Sequence, residues 1–156
     1  MAYDYLEFKE VGQKGIGVFS KKAFGKDDFI LKATPIKVFD KNEAHASQIG
    51  VNKWVHCEPK FIHFMNHSCD PNCGTIIEEE GNQTVIAMRY IEAGDELTVN
   101  YSLRASTLTR ESLPCLCGSE KCIGTIDSWG VLPYEIKKLY LEKYSKYIPH
   151  FLLEAS

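Results

Sequence analysis

Three of the six cysteines lie close enough together in the sequence to bind one metal ion. Cys115, Cys117 and Cys122 fall within eight residues, on a segment that Gly118 allows to turn tightly. Thiolates are preferred ligands of Zn²⁺, and a structural zinc site takes four ligands in a tetrahedron. The triplet therefore predicts a structural zinc site that takes its fourth ligand from elsewhere in the fold.

Two further cysteines are candidates for that fourth ligand. Cys69 and Cys73 flank the sequence Asp-Pro-Asn, and the spacing alone does not choose between them. Cysteine is also a common core residue, so buried free thiols are an alternative interpretation, and this one suits the isolated Cys57 best. For the triplet, a regulatory disulfide or a half-occupied site is the remaining alternative.

Residues 64–72, with the sequence FMNHSCDPN, contain more hydrogen-bonding side chains than an ordinary turn needs. Asn66 and His67 follow an apolar approach and are candidates for binding a ligand. The alternative is that they cap the loop through side-chain bonds to the backbone.

Two other segments offer ligand contacts. Residues 94–101 (GDELTVNY) end a predicted strand with Tyr101, whose hydroxyl needs a hydrogen-bond partner if it is buried. Residues 14–19 (KGIGVF) form a turn of small residues where a ligand could contact main-chain groups. This turn lacks the third glycine and the helix start of a dinucleotide fingerprint, so a Rossmann or P-loop site is excluded.

The composition indicates one globular domain. A chain of 156 residues with 44% apolar residues buries roughly two thirds of its unfolded surface. Its 18 basic and 21 acidic residues give a net charge of −3, so we expect a cationic partner and no direct nucleic-acid binding. The apolar stretches are too short to cross a membrane, and the start lacks a signal pattern, which predicts an intracellular protein. The oligomeric state stays open.

Short strands must position these segments. Alternating and β-branched residues predict strands over 5–9, 16–20, 29–33, 36–39 and 96–100, with a break at Thr34-Pro35. A hairpin is predicted from 75–80 and 84–90, turning at Gly81-Asn82. Residues 40–55 are ambiguous and could contain a short helix.

The C-terminal region has a helical pattern. Pro133 suits a first helical turn, and aromatic residues recur near helical spacing up to Tyr147. We predict a helix over 133–147 whose aromatic face, including Tyr140 and Tyr144, packs against the sheets.

Four motifs in fixed order, taken together, resemble the SET-domain protein-lysine methyltransferases. They are KGIGVF (14–19), NHSCDPN (66–72), GDELTVNY (94–101) and CLCGSEKCIG (115–124). The resemblance covers residues 5–124. It implies a mainly β SET-domain fold of small curled sheets, with a pseudoknot where the segment ending at Tyr101 threads beneath a loop, a zinc-binding post-SET loop and a C-terminal helix. It also implies a SET domain (1–110), a post-SET zinc-binding segment (111–127) and a C-terminal helical extension (128–156) packed on the same domain.

The resemblance further implies site residues, with Tyr101 as the catalytic tyrosine. The residues that would bind the methyl donor, S-adenosylmethionine, are Lys14, Gly15, Ile16, Gly17, Asn66, His67 and Tyr101. The residues that would bind a structural Zn²⁺ are Cys69, Cys115, Cys117 and Cys122. Two positions depart from the family's pattern: His63 stands where related enzymes often have a cofactor-binding arginine, and Asn100 replaces the aspartate that commonly precedes the catalytic tyrosine.

The expected activity is methyl transfer to a lysine of a histone tail or another lysine-rich protein. One alternative is a binding module that recognises peptides without transferring a methyl group. Another is a hydrolase that uses Cys69 or Cys73 with His67. A cytoplasmic or nuclear location is expected, and a secreted microbial effector is the alternative.

Overall fold

Strands make up most of the regular secondary structure in this computed structural model, which describes residues 2–154. The strands are β1 (Leu6–Glu10), β2 (Ile16–Ser20), β3 (Phe29–Phe39), β4 (Ser47–Gly50), β5 (Lys53–Glu58), β6 (Asn66–His67), β7 (Cys73–Ile77), β8 (Gln83–Ala87), β9 (Glu96–Val99), β10 (Leu113–Pro114) and β11 (Thr125–Ile126). The α-helices of this range are α1 (Phe61–Phe64), α2 (Tyr134–Tyr144) and α3 (His150–Glu154). The mainly β prediction is confirmed. The expected start of the SET domain at residue 1 and the expected end of the C-terminal extension at residue 156 lie outside the described residues.

A four-stranded sheet brings the candidate segments together. Its order is β1-β2-β9-β6, with β2 antiparallel to β9 and β6 parallel to β9. In this register Asn66 lies opposite Thr98, and His67 lies opposite Val99. The expected position of the segment ending at Tyr101, beside the Asn-His segment, is therefore confirmed.

A five-stranded sheet, of order β4-β5-β3-β8-β7, packs against the first. Strand β3 runs unbroken through Thr34 and Pro35, so the predicted break there is wrong. The pairing with β5 shifts register between Pro35 and Lys37. A bulge tolerates proline because the local ladder is already interrupted, which is why the strand can continue.

The predicted hairpin exists as β7 and β8, but its turn lies one residue earlier than expected. The chain reverses in a 3-10 turn over Glu79–Gly81, where Glu80 has φ 61° and Gly81 has φ 82°. Asn82 has φ −61°. The glycine supplies the positive φ that the turn requires, and Glu80 adopts a conformation that non-glycine residues use less often.

The ambiguous residues 40–55 contain no helix. Strand β4 and the first residues of β5 form an antiparallel pair there, with Ser47 opposite Val55. This pair forms the edge of the five-stranded sheet, where it borders the cavity described below.

The C-terminal helix is confirmed over most of its predicted length. Pro133 precedes α2, and α2 is followed by a 3-10 turn over Ser145–Tyr147. Tyr140 and Tyr144 are buried in a second core cluster together with Trp129. The aromatic face is therefore buried as predicted, but mainly against residues outside the strands, and Ile77 of β7 is its one strand residue in this cluster.

Candidate active site and metal centre

The cysteine loop is held closed at its base by a two-stranded pair. Strands β10 and β11 pair with Leu113 opposite Ile126, and the backbone N–H of Cys115 donates to the carbonyl of Gly124 at 3.0 Å. This closure folds the loop between them into a compact turn. The sulfur atoms of the triplet and of Cys69 all lie within 4.8 Å of one another, although Cys69 comes from the loop after β6.

The spacing of these four sulfur atoms fits a tetrahedral zinc site. A Zn–S bond of about 2.3 Å in a tetrahedron places two sulfur atoms about 3.8 Å apart. The Sγ atoms of Cys69 and Cys115 are 3.8 Å apart. The four thiols are therefore close enough to bind one metal ion, and a four-thiolate set leaves no open position for a reacting water.

Hydrogen bonds to the sulfur atoms of the cysteine loop stabilise their negatively charged thiolate form. Burial raises the pKa of Cys117, but bonds from the backbone groups of Cys69 and Ser119, together with the neighbouring thiols, lower that pKa to about 7. The backbone N–H of Gly124 donates to Sγ of Cys122 at 3.4 Å. Because metals bind the thiolate form, these bonds favour metal ligation.

Cys73 and Cys57 stand apart from the cluster. Cys73 begins β7 with its side chain in the core, where its thiol donates to Oδ1 of Asn72 at 3.3 Å and burial raises its pKa. Cys57 lies in β5, where its sulfur accepts a bond of 3.5 Å from the Gln83 amide. Both are buried free thiols, as the alternative interpretation predicted for Cys57.

Tyr101 lies two residues after β9 ends, and both of its polar groups have partners. Its hydroxyl donates to the carbonyl of Met65 at 3.0 Å. Its backbone N–H donates to Nδ1 of His67 at 3.0 Å, and the two rings lie 5.3 Å apart. Burial raises the pKa of the Tyr101 hydroxyl, which is therefore protonated near neutral pH.

Glu96 links Lys14 to Asn66. The Lys14 ammonium lies 2.8 Å from Oε1 of Glu96, and the Asn66 amide donates to Oε2 at 2.8 Å and to the carbonyl of Ile16 at 3.4 Å. Sequence reasoning did not single out Glu96. The available signal was the alternation in β9, where Glu96 points away from the core that buries Leu97.

The backbone at Gly17 packs tightly against the side chains of Glu96 and Asn66. A Cβ atom placed on Gly17 would lie 2.5 Å from Oε2 of Glu96 and 2.9 Å from the Asn66 amide nitrogen. Gly15, by contrast, has φ 80° and open space around its Cβ position. The loop therefore needs glycine at one position for close packing and at the other for its backbone conformation.

A cavity of about 230 Å³ opens beside Tyr101. Its lining includes Ser47, Trp54, Met65 and Arg104. The guanidinium of Arg104 donates to Oγ of Ser47 and to Oε1 of Gln83, both at 3.1 Å. Sequence reasoning missed this buried cation, because Arg104 and Ser47 belong to distant segments without a recognisable motif.

His63 faces the same cavity but is turned toward the five-stranded sheet. Its Nε2 atom accepts the backbone N–H of Cys57 at 2.8 Å, and its Nδ1 atom lies 3.4 Å from Oγ of Ser47. Burial, with the nearby Arg104 and His56, lowers its pKa to about 4. His63, which stands where related enzymes often have an arginine, is thus a neutral side chain that supports β5.

Most of the sequence-predicted site residues therefore belong to two groups of contacts, which meet where Asn66 and His67 adjoin in β6. Lys14, Gly17 and Asn66 meet at Glu96, while His67 touches Tyr101 and lies 3.5 Å from Sγ of Cys69 through Nε2. Gly15 contributes the backbone conformation of its loop.

The sequence model of the SET domain family matches residues 15–102, which include both glycines of the loop, the Asn-His strand and Tyr101. The chain belongs to the SET domain family. In this SET domain the matched residues form strands β2 to β9 of the two larger sheets, and the cysteine loop follows them in the sequence.

Several curated proteins resemble this SET domain. "Histone-lysine N-methyltransferase, H3 lysine-4 specific" of Saccharomyces cerevisiae is 42% identical over 67 residues, which are 41% of this chain and 6% of the yeast protein. The Neurospora crassa protein of the same name is 39% identical over 130 residues, covering 71% of this chain and 10% of its own length. "Histone-lysine N-methyltransferase SETD1B" of Xenopus laevis is 34% identical over 70 residues, covering 43% and 4%. The chain therefore spans a small fraction of the relatives it matches.

The fold has a solved counterpart. The methyltransferase domain of human histone-lysine N-methyltransferase SETMAR superposes with a TM-score of 0.62 at 19% identity, covering 79% of this chain and 58% of that one. This likeness supports the SET fold. Among residues 2–154, the helices are all too short or too polar to span a membrane.

Proposed function

We propose that this SET domain transfers methyl groups to lysine side chains of a protein substrate, with Tyr101 as the catalytic residue. The observation that carries the proposal is the position of the Tyr101 hydroxyl. It lies at the wall of the cavity and is held by the Met65 carbonyl. The adjacent backbone of Tyr101 is fixed by His67.

The methyl donor would bind against the glycine loop and the Asn-His strand. S-adenosylmethionine supplies, when bound, a methyl group on a positively charged sulfonium. It also carries an ammonium, a carboxylate and an adenosine, so it needs groups of both charges and an apolar surface. The Lys14 ammonium, the Glu96 carboxylate and the Asn66 amide lie together, and the Ile16 side chain is 47% exposed beside them. The open space at Gly15 leaves the main chain accessible. These residues fit the donor, and His67 and Tyr101 would complete its site.

The cavity would hold the substrate lysine as a neutral amine. Only the neutral amine has a lone pair for attack, and a nearby cation lowers the pKa of an amine. Arg104 lines the cavity, and its guanidinium donates hydrogen bonds to neutral oxygen atoms of Ser47 and Gln83. Its charge therefore favours the deprotonated lysine. The Tyr101 hydroxyl and the Met65 carbonyl would orient that amine, which is most of what an in-line transfer requires.

The cysteine cluster would bind a structural Zn²⁺ through Cys69, Cys115, Cys117 and Cys122. Zinc would tie the loop of residues 115–124 to the strand that carries His67, and so to the active site. We propose the corresponding division into a SET domain (1–110), a post-SET segment (111–127) and a C-terminal extension (128–156).

The substrate class follows from the relatives and the charge. The curated relatives are named as histone-lysine methyltransferases, and the net charge of −3 suits a basic partner. We infer a lysine-rich protein such as a histone as the substrate, and an intracellular location, cytoplasmic or nuclear, for the reaction.

A Cys-His hydrolase fits the contacts less well. Nδ1 of His67 accepts the Tyr101 N–H, so a neutral His67 carries its proton on Nε2, the atom that faces Cys69. A protonated Nε2 cannot take a proton from the thiol. The thiol of Cys69 also belongs to the metal cluster.

Mass spectrometry of reaction products tests the proposal. The zinc-loaded protein is incubated with S-adenosylmethionine and a panel of core histones and lysine-rich proteins. The expected result is a mass increase of one or more methyl groups, located on lysine by peptide fragmentation. Binding of the donor measured by calorimetry on the same sample separates the alternatives: donor binding without any methylated lysine would favour the peptide-binding module, and no donor binding would contradict the proposed activity.

A further inference from the structure

A second cleft, of about 550 Å³, lies on the surface beside the cysteine loop. Four separate parts of the chain supply its basic side chains: the turn before β3, the segment after β8, the cysteine loop and the end of the C-terminal helix. These basic residues are Lys26, Arg89, Lys121, Lys143 and Lys146. The cleft does not share a residue with the cavity at Tyr101.

One carboxylate that lines the cleft, that of Asp70, faces three cations. Oδ1 of Asp70 lies 3.5 Å from the Arg89 guanidinium and 3.8 Å from the ammonium groups of both Lys121 and Lys143. A single negative charge cannot neutralise three positive ones. The cations therefore repel one another in the free protein, and an anion that enters the cleft would relieve this repulsion.

The excess positive charge of the cleft is large compared with the net charge of the whole chain. Five basic and two acidic residues line the cleft, the latter being Asp27 and Asp70, which leaves a formal charge of +3. The whole chain has a net charge of −3, so the remainder of the molecule carries −6. The net charge conceals a basic surface, and this is why composition alone predicted no direct nucleic-acid binding.

We propose that this cleft binds the phosphate backbone of a nucleic acid. The side chains of Lys121, Arg89 and Lys143 are 62%, 50% and 39% exposed, so they can reach an extended partner. Tyr144 and Tyr147 line the same cleft and lie under the ammonium groups of Lys143 and Lys146, respectively. Lysine, arginine and tyrosine are among the side chains that contact phosphate and sugar.

The choice of nucleic acid over another polyanion rests on the proposed function. A basic substrate such as a histone pairs by charge with the phosphate backbone of a nucleic acid. The acidic remainder of the molecule is complementary in charge to a basic protein substrate. The basic cleft is complementary in charge to the nucleic acid bound to that substrate. The charge surplus itself does not depend on this function, and binding is measured without methyl transfer.

Fluorescence anisotropy with a labelled 20-base-pair DNA duplex tests the inference at several salt concentrations. If about three phosphates are contacted, the logarithm of the affinity falls with the logarithm of salt concentration with a slope of about −2.7. Between 50 and 200 mM salt the affinity then falls about 40-fold. The double variant Lys143→Ala/Lys146→Ala removes two cations without touching the cysteine cluster, and should make the slope shallower by about 0.9 for each phosphate contact that is lost.

The matched control is Lys53→Ala/Lys138→Ala. It makes the same change in net charge, includes a residue of the same helix α2, and alters neither cavity. This control should bind duplex DNA as the wild type does. The inference is wrong if both double variants lose affinity equally, if the cleft variant binds normally, or if polyglutamate of equal charge competes as well as unlabelled duplex. Circular dichroism and zinc content on the same samples establish that the variants are folded.

Discussion

The backbone N–H of Tyr101 donates a 3.0 Å hydrogen bond to Nδ1 of His67. Burial lowers the pKa of His67 to about 4, so the ring is neutral at pH 7. Since Nδ1 is the acceptor, the proton is on Nε2, which lies 3.5 Å from Sγ of Cys69. One imidazole therefore touches both the candidate catalytic residue and the candidate metal centre.

Two substitutions of His67 separate its two contacts. Asparagine can place its side-chain oxygen near the position of Nδ1 and accept the Tyr101 N–H, whereas alanine leaves that N–H unpaired at a cost of about 1–3 kcal/mol. Both substitutions remove the contact with Cys69. We expect His67→Asn to retain more methyl-transfer activity than His67→Ala, with both variants releasing zinc to a chelator faster than wild type. Equal activity of the two variants would show that the bond to Tyr101 is unimportant.

Metal analysis tests the cysteine cluster. Because the four Sγ atoms are spaced for a tetrahedral ion, the purified protein should contain about one zinc per chain. Cys122→Ser should lose most of this zinc and unfold at a lower temperature, since metal binding contributes to folding. Cys57→Ala is the matched control, because Cys57 is buried outside the cluster. Normal zinc content in Cys122→Ser, or zinc loss in Cys57→Ala, would contradict the assignment.

The close approach at Gly17 predicts a selective effect on donor binding. A methyl group there would displace Glu96 and Asn66, which lie 2.5 and 2.9 Å from the Cβ position. We expect Gly17→Ala to raise the KM for S-adenosylmethionine by about tenfold to a hundredfold. In the control Gly25→Ala, the nearest atom lies at an ordinary 3.5 Å, and the KM should not change. A normal KM in Gly17→Ala would remove this loop from the donor site.

The local parts of this site were predictable because their signals are contiguous in the sequence. The metal triplet, the Asn-His pair and Tyr101 are each marked by their immediate neighbours. The long-range parts had no such signal. Lys14 meets Glu96 across 82 residues, and only the register between β2 and β9 brings them together.

The choice between the two candidate fourth ligands shows the same limit. The spacing left Cys69 and Cys73 equivalent, and the family resemblance selected Cys69. In the structure Cys73 starts β7 and points into the core, so strand geometry separates the two. Residues 40–55 were ambiguous for a related reason, since an edge pair such as β4 and β5 has a weak local pattern.

Titration of His63 should make stability depend on pH. Its pKa is about 4 in the folded protein, mainly because of burial, against about 6.5 in an unfolded chain. As the pH falls from 6.5 to 4, the unfolded state takes up a proton that the folded state does not. The free energy of unfolding therefore decreases over this range, and this contribution levels off below pH 4.

Chemical denaturation at a series of pH values measures this effect. His63→Gln keeps an acceptor near the Cys57 N–H but does not titrate, so its unfolding free energy should fall less steeply between pH 6.5 and 4 than that of wild type. Some slope should remain, because burial also lowers the pKa of His67. Identical slopes in the two proteins would mean that His63 is not held neutral by the fold.

The rate of methyl transfer in Tyr101→Phe tests the central claim most directly. The variant loses only the hydroxyl that donates to the Met65 carbonyl. Labelled methyl transfer from S-adenosylmethionine to histones is compared among wild type, Tyr101→Phe and Tyr134→Phe, a control whose ring is 74% exposed on α2. We predict that kcat falls about a hundredfold to a thousandfold in Tyr101→Phe alone, with zinc content and folding unchanged. Transfer by Tyr101→Phe at the wild-type rate would contradict the proposed catalytic role of Tyr101.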